Sequence, residues 1–141
     1  MIKAGMEPLV PLVGEWRIEA FGGSGRALFE WTLDGAFLMQ RTEVDLPEAP
    51  NTLAIIALGP DGGFTQHYFD SRGVVRTYSM TLEDGVLTLA RETEDFSPLD
   101  FRQRYIGRFN EDGRRIEGAW EINHGEKWEN DFDLTYTRLD S

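Results

Sequence analysis

Four Asp-Gly pairs, Asp34-Gly35, Asp61-Gly62, Asp84-Gly85 and Asp112-Gly113, punctuate this chain, each between runs of alternating apolar and polar residues. Glycine accepts the positive φ of a tight turn, so this arrangement is a strong hairpin signal. Ten strand-like runs follow from it: 14–20, 25–33, 36–44, 52–58, 64–70, 74–82, 86–93, 101–109, 115–122 and 127–138. With no helical run between them, parallel βαβ units are excluded. The expected fold is all-β, a single up-and-down antiparallel β-barrel of about ten strands, one domain over 1–141. A domain near this length buries about 70 % of its unfolded surface.

The turns also predict which side chains share the interior, because directly opposed residues lie on one face. Asp84-Gly85 opposes Leu82 to Leu87, Met80 to Leu89 and Tyr78 to Arg91. Asp112-Gly113 opposes Phe109 to Ile116, Gly107 to Gly118 and Tyr105 to Trp120. Asp34-Gly35 opposes Leu33 to Ala36, Trp31 to Leu38 and Phe29 to Gln40. Asp70-Ser71-Arg72-Gly73 suits a type I turn with a glycine bulge, opposing Tyr68 to Arg76 and Gln66 to Tyr78. Alternation in the last strand turns Trp128, Asn130, Phe132, Leu134 and Tyr136 inward.

In a meander the connections alternate between ends, so the Asp-Gly turns gather at one end and longer connections, 21–25, 45–51, 71–73, 94–100 and 123–127, at the other. The proline-rich segment Met6–Val13 is too short for a long helix and reads as a helical turn plugging the tight end, where Trp16 points in. Near that floor fall Trp16, Trp31, Leu33, Leu82, Leu87, Phe109, Ile116, Phe132 and Leu134. Toward the mouth fall Gln40, Thr42, Gln66, Tyr68, Arg76, Tyr78, Arg91, Gln103, Tyr105 and Asn130. Buried polar groups are costly unless satisfied, so this half is expected to enclose water or a ligand.

Gly14-Glu15-Trp16, on the first strand after a short turn, resembles the Gly-x-Trp signature of lipocalins and the wider calycin superfamily. Ten strands are closer to its fatty-acid-binding branch than to eight-stranded lipocalins. Leu12–Trp16, Tyr68–Gly73 and Trp128–Tyr136 resemble an uncharacterised bacterial family of lipocalin-like barrels, which brings no activity with it. The resemblance implies a calycin-like barrel with an internal ligand. Arg76, Arg91 and Tyr78 are similar, by analogy only, to the Arg, Arg and Tyr that hold a carboxylate in fatty-acid-binding barrels.

The expected ligand-binding residues are Gln40, Gln66, Tyr68, Arg76, Tyr78, Arg91, Gln103, Tyr105, Trp120 and Asn130. Guanidinium forks match carboxylates bidentately, which points Arg76 and Arg91 at an anion. The competing structural reading pairs them with Asp70, Glu43 or Glu92. The favoured function is binding of a small, partly apolar, anionic molecule. One alternative is a cyclase or isomerase with Tyr68, Tyr78 and Asp70 as acid/base groups, although Asp70 also suits a turn cap. The other is a dimeric interaction module, because strand 52–58 is apolar on both faces beside Phe37, Met39 and Phe69.

No nucleophile elbow, phosphate loop or metal cluster is visible, and no cysteine is present. Some calycin barrels hold haem through one histidine, but His67 is read as outward and His124 as a mouth-loop residue, so no cofactor is expected. A net charge of −11 disfavours nucleic acids and anionic membranes as partners. With no signal-like segment or membrane span, a cytoplasmic protein is expected, with a possible homodimer through the 52–58 face.

Overall fold

In the computed structural model, which describes residues 2–92 and 100–139, a 3₁₀ turn is followed by ten antiparallel strands. The strands are β1 (Gly14–Ala20), β2 (Gly23–Thr32), β3 (Phe37–Val44), β4 (Thr52–Leu58), β5 (Phe64–Asp70), β6 (Val75–Glu83), β7 (Val86–Arg91), β8 (Arg102–Phe109), β9 (Arg115–Asn123) and β10 (Trp128–Leu139). Each pairs with its sequence neighbour, and β1 pairs with β10 to close the barrel. Residues 94–99 of the expected 94–100 connection lie outside the described residues.

The ladders carry the expected registers Met80↔Leu89, Tyr105↔Trp120, Phe29↔Gln40 and Tyr68↔Arg76. Two local expectations are corrected. Leu33 is 71 % exposed rather than part of the floor, because Leu33, Asp34 and Gly35 all adopt positive φ and lift the turn off the ladder at Thr32↔Phe37. The β1–β2 connection is a two-residue turn, Phe21-Gly22, and Ala20 pairs directly with Gly23.

The third correction matters most. A β-bulge between Asn130 and Phe132 leaves Asp131 without a cross-strand partner. Phe132 pairs with inward Trp120, whereas Asn130 pairs with outward Glu121, so the pleat changes phase. Trp128 and Asn130, expected inside, are therefore on the outer wall. There the Arg104 guanidinium lies 4.0 Å from the Trp128 ring centroid, and Asn130 Nδ2 donates to Asp133 Oδ1 at 3.1 Å.

The floor is built around Trp16. Pro8 and Pro11 limit the N-terminal segment to the 3₁₀ turn Glu7–Leu12, which buries Leu9 and Leu12 fully. Trp16 Nε1 donates to the Leu12 carbonyl at 2.9 Å, tying plug to barrel. From the opposite strand, Arg138 stacks 4.2 Å from the Trp16 ring centroid, and its guanidinium donates to the Val13 and Pro11 carbonyls. Gly14 permits this: it has a φ of +126°, and a Cβ there would sit 2.7 Å from Arg138 Nη1.

Above the floor, Tyr105 lies flat over the Gly107–Gly118 pair, where a Cβ on Gly118 would fall 2.6 Å from the ring and 2.5 Å from the Ile106 carbonyl. Gly118→Ala is expected to lower stability by about 1–3 kcal/mol, the usual cost of overpacking, as read by urea unfolding. Glu117→Ala on the adjoining outer face should change it by less than about 1 kcal/mol.

Candidate functional site

The mouth half of the barrel encloses a cavity of about 390 Å³. That is room for about a dozen waters at ~30 Å³ each, and lies toward the small end of ligand pockets. Its lining alternates in character around the wall. Ile18, Leu89, Trp120, Phe132 and Leu134 are apolar, while Gln40, Thr42, Gln66, Tyr68, Arg76 and Gln103 supply polar groups.

The polar groups form three sets. In the first, Gln66 Nε2 donates to Gln40 Oε1 at 3.1 Å and Gln40 Nε2 donates to Thr42 Oγ1 at 3.2 Å. Gln40 also lies beside the Tyr136 hydroxyl and favours its ionised form. Burial nonetheless pushes that phenol up to about 12, so it is neutral. In the second, Gln103 Oε1 accepts from Arg76 Nη1 at 3.3 Å and from the Tyr78 hydroxyl at 3.4 Å. Arg76 Nε is buried without a partner, and Arg76 makes no ion pair among the described residues.

The third set is a clamp at the rim. The β5–β6 connection is the expected glycine-bulge turn, with Gly73 N donating to the Asp70 carbonyl at 2.9 Å. The Asp70 carboxylate accepts from the Tyr68 hydroxyl at 2.8 Å, from Arg72 Nη2 at 2.6 Å and from Arg72 N at 2.9 Å. Burial alone would raise the Asp70 carboxyl, but these bonds outweigh it and hold the group at about 2. Burial and the bond to Asp70 together push the Tyr68 phenol up, and Asp70 keeps Arg72 more firmly protonated. Asp70 is thus ionised at neutral pH and held in the turn by these bonds.

Of the ten residues expected to bind, the structure brings Gln40, Gln66, Tyr68, Arg76, Tyr78, Gln103 and Trp120 to the cavity. It does not bring the other three. Asn130 is displaced by the bulge. Tyr105 packs beneath the cavity, donating its hydroxyl to the Leu134 carbonyl at 3.0 Å, with burial pushing its phenol up. Arg91, paired with Gln103 in the ladder and 3 % exposed, is not a lining residue.

Residues outside the expected set also line the cavity: Phe21, Arg72, Phe101, Asp131, Phe132 and Leu134. Arg72 was legible from the rim turn, and Phe21 from the hairpin tip. Asp131 had no sequence signal, since a bulge leaves no mark in an alternating run. Phe132, expected near the floor, stacks on Phe21 with ring centroids 4.3 Å apart at the mouth.

Neither histidine lines the cavity. His67 pairs with Ile55 and Thr77 on the outer face, and His124 lies 5.5 Å from the Phe101 ring. No group of three or more possible metal-ligating carboxylates or imidazoles occurs among the described residues.

No protein-family model matches the sequence, and no curated protein matches it. Among solved structures, the crystal structure of Rv2717c from M. tuberculosis is similar over 99 % of this chain and 100 % of its own, with a TM-score of 0.69 and 13 % identity. At that identity the likeness is one of fold.

The Asp70 clamp generates a pH test. A carboxyl held at about 2 in the folded chain, against an ordinary 3.8, contributes stability at neutral pH that is lost as pH falls from about 4 toward 2. Asp70→Asn is expected to be less stable than wild type at pH 7 by on the order of 2 kcal/mol. The gap should narrow below pH 4 in urea titrations, and a gap constant down to pH 2 would contradict the assignment. By its closed meander and its likeness to a solved barrel, the chain is a ten-stranded antiparallel β-barrel protein.

Proposed function

We propose that this is a calycin-type barrel whose cavity holds a small, partly apolar, anionic molecule. The carrying observation is Arg76. Its Nη1 is engaged by a neutral amide, its Nε is buried without a partner, and no described carboxylate pairs with it. An unsatisfied buried donor costs about 1–3 kcal/mol, more when charged. The Nε–Nη2 edge of a guanidinium is a ready fork for a carboxylate or similar anion, and such a ligand would satisfy it. The aromatic and leucine wall opposite suits an apolar body. Gly14-Glu15-Trp16 entering β1 from the 3₁₀ turn supports the calycin reading.

Catalysis in the same cavity has less support. Asp70 is bound by Arg72, and the Tyr68 and Tyr78 hydroxyls donate to Asp70 and Gln103. Native mass spectrometry of the protein as purified is expected to show a small-molecule adduct. Arg76→Gln should reduce its occupancy at least tenfold, in line with about 1.5–3 kcal/mol for a hydrogen bond to a charged group. Arg41→Gln, on the outer wall, should leave it unchanged. Equal occupancy in Arg76→Gln would remove Arg76 from the binding role.

A homodimer is a second, compatible reading, supported by the outer wall of β3–β6. Met39 opposes Ile55 and Leu53 opposes Phe69, which is 40 % exposed, so apolar side chains run across neighbouring strands. A self-complementary face of this kind suits two-fold pairing. Sedimentation at micromolar concentration is expected to show a dimer that Ile55→Lys converts to monomer; a wild-type monomer would exclude it.

A further inference from the structure

We propose that the cavity ligand is a zwitterion, with its anionic end on Arg76 and a cationic end at Asp131; this rests on the binding reading above. Strict alternation would place Asp131 on the outer wall with Glu129 and Asp133. The bulge instead leaves Asp131 opposite no residue and places it, solvent-exposed, at the rim of the cavity beside Phe132. Bulges recur at barrel rims and next to binding sites, where they re-aim a side chain. Asp131 makes no hydrogen bond or ion pair among the described residues.

The closed strand order fixes where this carboxylate stands. Around the circuit, β10 lies four strands from β6, which carries Arg76, and five from β5, so the two charges occupy facing walls. The other rim charges do not cancel them, because Arg72 is held by Asp70 in the clamp. The cavity thus presents a cation with a buried, unpartnered Nε inside and a hydrated anion at its rim, neither with a counter-charge among the described residues, across an apolar middle of Trp120, Leu89 and Phe132. A ligand bearing both charges satisfies both walls. It also has no net charge for the −11 chain to repel during approach, unlike a simple anion.

The test is an NMR titration of the full chain with straight-chain ω-amino carboxylates of four to eight carbons. Each is compared with the alkanoate of the same length. At one length the amino acid is expected to bind at least tenfold more tightly than its alkanoate. Asp131→Asn should abolish that preference while leaving alkanoate affinity in place, and Arg76→Gln should weaken both probes. Equal binding of amino acid and alkanoate at every length, or an equal loss of both in Asp131→Asn, overturns the zwitterion and leaves the anion reading standing. Failure of every probe to bind, or binding indifferent to Arg76→Gln, overturns both.

Discussion

Closure of the sheet, through the β1–β10 ladder from Glu15↔Leu139 to Glu19↔Thr135, is the constraint on which everything else depends. With no edge strand left, inward side chains share a fixed volume, and barrel diameter grows with strand number. Eight strands leave an interior that side chains alone can fill; ten leave more. This chain fills the lower part by bringing in a plug, Leu9 and Leu12 against Trp16, and by using large aromatics above it. The remainder is the cavity, and its polar lining follows from that. Groups such as Gln40 and Gln66 are tolerated there because they bond to one another and face a space water can enter.

Aromatic contacts join floor to rim without a break. Trp16 meets Tyr136, Tyr136 meets Tyr105, Tyr105 meets Trp120, Trp120 meets Tyr78, and Tyr78 meets Tyr68, with centroids 5.4–6.3 Å apart. All five pairs are edge-on or tilted, the arrangement ring quadrupoles favour. Both ends are anchored by an arginine on main-chain or carboxylate oxygen: Arg138 below, Arg72 above. Such a column sets the cavity's depth. Tyr105, lying on two glycines, closes the bottom, and Tyr68 at the top is fixed by the same carboxylate that shapes the β5–β6 turn. The rim beside the cation wall is therefore tied together by side-chain bonds.

The fold was legible in the sequence because turn chemistry and period-two alternation are local signals. Asp84-Gly85 alone fixed Met80 opposite Leu89, and Asp70 through Gly73 fixed Tyr68 opposite Arg76. The site was legible only where alternation ran uninterrupted, which is why Gln66, Arg76 and Tyr78 fell in place and Asn130 did not. A bulge costs one unpaired residue and changes no composition, so nothing in Trp128–Tyr136 distinguishes a regular strand from a phase-shifted one. Tyr105 was placed on the correct face but at the wrong depth, since face follows from register whereas depth depends on how far a ring leans over neighbouring glycines. Arg138 shares the parity of Tyr136 and opposes Trp16, so its position at the plug was open to the same reasoning.

An arginine without a counter-charge among the described residues stands out in a chain with eleven more acidic than basic groups. Carboxylates are plentiful on this molecule, and other arginines take them: Arg104 binds Glu121 at 2.6 Å and Arg115 binds Glu117 at 2.7 Å, both on the outer wall. Arg76 has instead one contact to an amide oxygen. Folding stability alone offers no reason for that arrangement, because a guanidinium with an unbonded Nε is a net cost that a hydrophobic residue at the same inward position would avoid. Local violations of this kind persist where a function depends on them. The acidic exterior and the cationic wall are thus separate in space: carboxylates crowd the outer face, while the Arg76 guanidinium stands inside facing a neutral amide.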